Sequence, residues 1–200
     1  RDDVESRGLG DVYKRQEVKK VEKNANGAVL KADAKYMEGA ITTNAEGKVE
    51  FTLDTDANGK SADEIYNIVY QYMSDLTQEE NNIKSRMALV NKDQHIIANT
   101  MDEWLVFSNT FLSLDRSEFR YNLVASIKDN HLTLSMERLY YVYEEDRSTG
   151  FKAPAEEIIN DKIALNKKKT DLAKIFGKFR KLTIDRKDQI FSEISTLVKN

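Results

Sequence analysis

Two hundred residues, 40% hydrophobic and 32% charged, suffice for one domain with a sizeable core and argue against wholesale disorder. A formal charge of −3 argues against a dedicated nucleic-acid binder, and the lack of cysteine excludes disulfides, thiolate nucleophiles and cysteine-ligated metals. The longest apolar run, Leu139–Tyr143, is too short to cross a bilayer as a helix.

Residues 1–16 (RDDVESRGLGDVYKRQ) have neither helical nor strand periodicity. The SRGLGDVYKRQ portion looks like translated sequencing-adaptor read-through, with a natural disordered tail as the other reading. Either way the stretch stands outside the fold, and the natural gene is expected to carry a signal peptide or lipoprotein leader in its place. Residues 17–34 read as a lysine-rich, irregular lead-in with one short strand near Ala28–Lys31. The domain is expected over 35–200.

Val49, Phe51 and Leu53 alternate with Glu50, Thr52 and Asp54, the period of a half-buried strand. Asn58-Gly59 then turns the chain, and Ser61-Ala62-Asp63-Glu64 is a capping box. The helix it opens puts Ile65, Ile68, Val69, Tyr72, Met73 and Leu76 on one stripe and should end near Gln78. Four strands are predicted at about Ile83–Val90, His95–Phe107, Glu118–Lys128 and His131–Tyr143. Asn91-Lys92-Asp93 and Asp129-Asn130 are short turns, so two of the pairings should be antiparallel hairpins. In the third of these strands Phe119, Tyr121, Leu123, Ala125 and Ile127 share a buried face, while Arg120, Asn122, Val124, Ser126 and Lys128 share an open one. Beyond Gly150 the pattern turns helical. Pro154 suits the first turn of a helix through Ala155–Ile159, and Leu165, Leu172, Ile175, Phe176 and Phe179 continue an amphipathic pattern broken at Gly177. A last helix is predicted from near Thr183, with Ile190, Phe191, Ile194, Leu197 and Val198 inward.

Four segments carry a resemblance: KYMEGAITTNAEGKVEF (Lys35–Phe51), DEWLVFSNTFLSLDRSEFRYNL (Asp102–Leu123), RLYYVYEE (Arg138–Glu145) and ALNKKKTDLAKIFGKFRKLTIDRKDQIF (Ala164–Phe191). In order and spacing they resemble an uncharacterised bacterial family, a domain of unknown function with a TATA-binding-protein-like fold. The resemblance implies an α+β, β-α-β4-α domain, with a curved antiparallel sheet of about five strands and helices on one face. It brings no catalytic motif and no cofactor. It implies a cell-envelope location, periplasmic or outer-membrane-anchored, since such proteins commonly begin with export signals.

Several stretches suggest chemistry. Asp54-Thr55-Asp56-Ala57-Asn58-Gly59 fits the first six positions of a calcium loop, but position twelve is Ile65 where a bidentate glutamate is needed, and position nine is Ala62. A strand end, a turn and a helix cap explain every residue of it. Gly59-Lys60-Ser61 echoes a phosphate-binding loop, yet Asp54 stands where the earlier glycine belongs. His95 and His131 begin separate strands and have no second histidine at ligand spacing; they read as surface residues. Acidic pairs such as Glu144-Glu145 and Glu156-Glu157 read as solvated positions, since sequence spacing cannot place carboxylates across a cleft. Between Lys167 and Lys187 nine cations outnumber Asp171 and Asp185. Lys167, Lys168, Lys169, Lys178, Arg180, Lys181 and Arg186 are the candidate basic surface, either for an acidic partner or as the solvated face of amphipathic helices.

Along His131–Tyr143, Leu132, Leu134 and Met136 alternate inward, whereas past Arg138 both faces are apolar or aromatic. Leu139, Tyr141 and Tyr143 are therefore the candidate partner-binding face, open to a second copy or another partner; a bulge near Arg138, or the lead-in segment folding back over that end, is the competing explanation. The expected function is a non-enzymatic binding or structural module of the envelope, holding a protein or glycan partner on its sheet. Nucleic-acid binding by fold analogy and an unrecognised hydrolase are the alternatives. Tight DNA binding is not expected, because Arg120, Asn122, Ser126, Thr133, Ser135 and Glu137 on the open face are mixed in character.

Overall fold

The computed structural model describes residues 21–111 and 113–200; the adaptor-like stretch 1–16 and residues 17–20 lie outside the described residues. The elements are β1 (Glu50–Asp56), α1 (Ala62–Leu76), β2 (Arg86–Asn91), β3 (Ile96–Thr110), β4 (Ser113–Lys128), β5 (His131–Tyr143), β6 (Phe151–Pro154), α2 (Ala155–Ile158) and α3 (Gly177–Lys199). The strands form one antiparallel sheet in the order β1-β5-β4-β3-β2. β6 pairs with the far end of β5, so β1 and β6 lie end to end along the same strand. Among the described residues, no helix is long and apolar enough to cross a membrane.

The capping box behaves as the sequence requires: the Glu64 amide donates to Ser61 Oγ and the Ser61 amide donates to Glu64. The helix it starts buries Ile65, Tyr66, Val69, Met73 and Leu76 against the sheet. α1 and α3 lie together on the face formed by Ile97, Met101, Phe119, Tyr121, Leu123, Leu134 and Met136, all buried. Burial of these side chains is the main stabilising contribution, at about 1.5–3 kcal/mol each. Arg120, Asn122, Ser126, Thr133, Ser135 and Glu137 point the other way, as the alternation predicts.

Three predicted features need correction. The segment before Pro154 is a strand, β6, too short to show alternation. Its Phe151 packs on Tyr143 and Phe179, and Pro154 caps α2 from outside the helix. Gly177 opens the last helix and breaks nothing. A Cβ there would sit 2.7 Å from Leu172 Cβ, so only glycine lets the chain cross Leu172 as it enters α3. The lead-in holds no strand at Ala28–Lys31 beyond a single bridge from Lys23 to Val29. Lys31 N–H instead donates to the Thr170 carbonyl.

Candidate functional site

The deciding local feature is Arg138, whose φ of 56° places it in the left-handed region. Arg120 pairs with Tyr140 but Asn122 pairs with Glu137, so β5 holds one extra residue at this point. That bulge exchanges the faces of everything beyond it. Leu139 and Tyr141 turn inward and are fully buried; Tyr141 stacks on Phe119, meets the Phe179 ring edge-on and exchanges a 2.6 Å hydrogen bond with Thr183. Tyr143, half-buried on the same side, donates to Asp115 at 2.9 Å. Leu139 and Tyr141 are therefore core and cannot form the expected partner-binding face, while Tyr143 is only half-buried. The lapse in alternation is the signature of the bulge.

The basic cluster is likewise dispersed. Arg180 has no exposed surface: its guanidinium donates to the carbonyls of Tyr36, Met37 and Ile159 and pairs with Asp161 at 2.8 Å. Arg186 is buried too, forked onto Glu103 at 2.9 and 2.8 Å and reaching Glu79 at 2.5 Å. Both arginines are structural clamps, which corrects their assignment to a basic surface. Lys178 pairs with Asp115 at 2.6 Å beneath the rings of Phe107 and Tyr143, and Lys181 pairs with Asp185. Lys167, Lys168 and Lys169 sit in the loop ahead of α3 and not on a helix face, with Lys169 joined to Glu38.

The suggested metal and histidine positions also find partners. Asp54 accepts from Thr133 at 2.7 Å and faces His131, while the Asn58 amide reaches the Lys199 carbonyl at 2.6 Å. Asp54 and Asp56 thus both face His131, whereas the Asn58 side chain turns to the end of α3. His95 lies 2.8 Å from Asp63.

What remains is the face of the sheet away from the helices. Strand register sets two adjacent rows there: Trp104, Glu118 and Val142 in one, Asp102, Arg120 and Tyr140 in the next. The Arg116 guanidinium lies 3.7 Å from the Trp104 ring centroid, a stacked cation–π contact. Arg120 Nε donates to Glu118 at 2.6 Å and stands 3.8 Å from Asp102. Burial, and then the adjacent Glu118 carboxylate, push the Asp102 carboxyl up to about 6. Asp102 Oδ1 is buried without a donor, so a proton shared between the two acids satisfies an atom that otherwise has none. Sequence reading missed Trp104, Tyr140 and the Asp102–Glu118 pair. The signal was present for β3, because Asp102 and Trp104 fall on the outward parity of a strand whose Met101 and Leu105 point in. Tyr140 was hidden by the bulge.

The family model for a domain of unknown function (DUF4468) with a TBP-like fold matches residues 51–142. The crystal structure of a DUF4468 family protein from Bacteroides ovatus ATCC 8483 superposes with a TM-score of 0.75 at 33% identity, covering 85% of this chain and 96% of that one. The chain belongs to the DUF4468 family. A TBP-like protein from Parabacteroides distasonis ATCC 8503 shares the fold at 18% identity, with a TM-score of 0.61 over 79% of this chain and 97% of that one. No functionally curated protein matches it. The TBP-like fold implied by the sequence, an α+β antiparallel sheet with helices on one side, is thus the fold of this DUF4468 member.

Proposed function

We propose that this DUF4468 domain is a non-catalytic binding module of the bacterial cell envelope, and that it holds its partner on the open face of the sheet. The observation that supports this is the patch at Trp104, Asp102, Glu118, Arg120 and Tyr140, where aromatic rings flank hydrogen-bonding groups on a face that no helix of the described residues covers. Tryptophan, tyrosine and arginine are the residue types that carry most binding energy at interfaces. Aromatic plates match the apolar faces of sugar rings, and carboxylates beside a guanidinium match neighbouring hydroxyls as acceptors and donors. The patch therefore favours a glycan over a duplex: Glu50, Asp54, Asp102, Glu118 and Glu137 share the face with its arginines and would repel phosphates. The envelope location rests on the family resemblance.

Trp104 is the chain's only tryptophan, so its emission reports on this patch alone. Titration with a panel of envelope and host glycans should give a saturable emission change that is lost in Arg120→Ala and Tyr140→Ala. A glycan that binds the wild type and both variants equally, without moving Trp104 emission, would place the binding surface elsewhere and end this reading.

A further inference from the structure

Beyond Ser117, which faces Tyr143, the β3–β4 hairpin has no strand on either side among the described residues, and it continues to the pair Thr110–Ser113. Its root is held by Lys178 and Tyr143 on Asp115 and by Phe107 against Phe179. Past that root the arm extends by two residue pairs, about 7 Å. Phe111 at its tip is fully exposed, and Leu114 is more than half exposed. Trp104–Leu114 is the longest uncharged run in a chain that is 32% charged. A two-residue hairpin link ordinarily takes Asn-Gly or Asp-Gly, which adopt the required backbone easily. Phe111 does nothing for such a turn, so its apolar character calls for another explanation.

The same end of the molecule offers a receptor. A hollow of about 500 Å³ is lined by Tyr143, Phe151, Ile175 and Phe176, with Lys174 and Glu144 on its rim. Ile175 is 62% exposed. Tyr143 belongs both to this hollow and to the root of the arm, so knob and hole are neighbours. We propose that two copies of this chain pair about a two-fold axis at this end, each placing its Phe111 tip in the partner's hollow. An isologous contact needs one surface that carries both complementary features, and this end carries both. The charges around the hollow, Lys174 and the Asp115-paired Lys178 against Glu144, make no strongly cationic surface, which fits an uncharged protein tip better than an anionic bilayer. The contact is small, so the dimer should be weak, with a Kd on the order of 10 µM.

Sedimentation equilibrium of the wild type from about 1 to 500 µM should show a reversible monomer–dimer equilibrium. Phe111→Glu and Ile175→Glu, both at exposed positions and therefore folded, should each raise the dissociation constant roughly ten- to hundred-fold. The chain has no cysteine, so the specific pairing is readable covalently. Under oxidation, a mixture of Phe111→Cys and Ile175→Cys chains should form a crosslinked heterodimer in far higher yield than either variant alone. A wild type that stays monomeric throughout the range would overturn the proposal. So would a dimer indifferent to both glutamate substitutions, or crosslinking that does not need the mixture.

Discussion

Asp102 and Glu103 are consecutive residues of β3, and the strand's alternation sends them to opposite faces of the sheet. Glu103 lies on the helix side, 1% exposed, where its two oxygens receive both arms of the Arg186 fork and the Tyr121 hydroxyl. Asp102 lies on the open side, faces another acid, and holds Oδ1 without a donor. The more deeply buried carboxylate is the better satisfied one. Burial alone does not decide the cost of a charge; the donors that go in with it do. Glu103 enters the core together with its donors, whereas Asp102 is held beside a second acid and is eased by a proton instead.

The sharpest way to break this contrast is Glu103→Ala. It leaves Arg186 buried with only Glu79 and Gln189 and should cost about 3–5 kcal/mol of unfolding free energy, measured by urea denaturation. Glu103→Leu combined with Arg186→Met should recover at least half of that loss. A double variant as unstable as the single one would show that the pair is needed for more than mutual compensation.

Asp102→Asn tests the other side. The folded carboxyl, at about 6, lies above its ordinary 3.8, so folding takes up a proton between those values. The ionised group therefore weighs against the fold above pH 6, and this cost fades as the pH falls towards 4. The amide should stabilise the protein by about 1–2 kcal/mol at pH 7.5, and by little at pH 4.5. An equal gain at both values would place the effect outside this ionisation.

The smallest expected effect is at the bulge that assigns β5 residues to the two faces. Arg138 holds a left-handed backbone that glycine adopts without steric cost, so Arg138→Gly should raise stability by about 0.5–1 kcal/mol. Near-ultraviolet circular dichroism from the buried Tyr141 should be unchanged. A clear loss of stability would mean that the exposed Arg138 side chain contributes contacts that hold the bulge.

The calcium-like loop and the basic run show how far local sequence carries. The cap-and-turn explanation of Asp54–Glu64 stands in the structure because each part of it is local: the capping box closes within four residues, and Asp54 belongs to a strand. The basic run was misjudged because arginine and lysine look alike in a charge count and differ in what they do once buried. Arg186 follows Phe179 and Thr183 at helical spacing and precedes Ile190, all four on the inner stripe of α3. With the helix start placed at Thr183, six residues late, that stripe was not visible. Its partner Glu103 lies 83 residues away.

The sequence by itself determined the order of strands and helices as far as β5, the inward parity of β4 and of β5 as far as Glu137, both hairpin turns and the α1 cap. These follow from side-chain period and from contacts a few residues apart. Tertiary structure alone decided the bulge at Arg138, the helix start at Gly177, the burial of Arg180 and Arg186, and the reach of the β3–β4 arm past β5. Each of these depends on which distant segment arrives to supply a donor or to fill a space. Gly177 must be small because Leu172 crosses it, Arg180 is buried because three carbonyls converge on it, and Tyr141 turns inward because one extra residue shifts the pleat. Local periodicity records which residues share a face, whereas only the packed chain determines what that face meets.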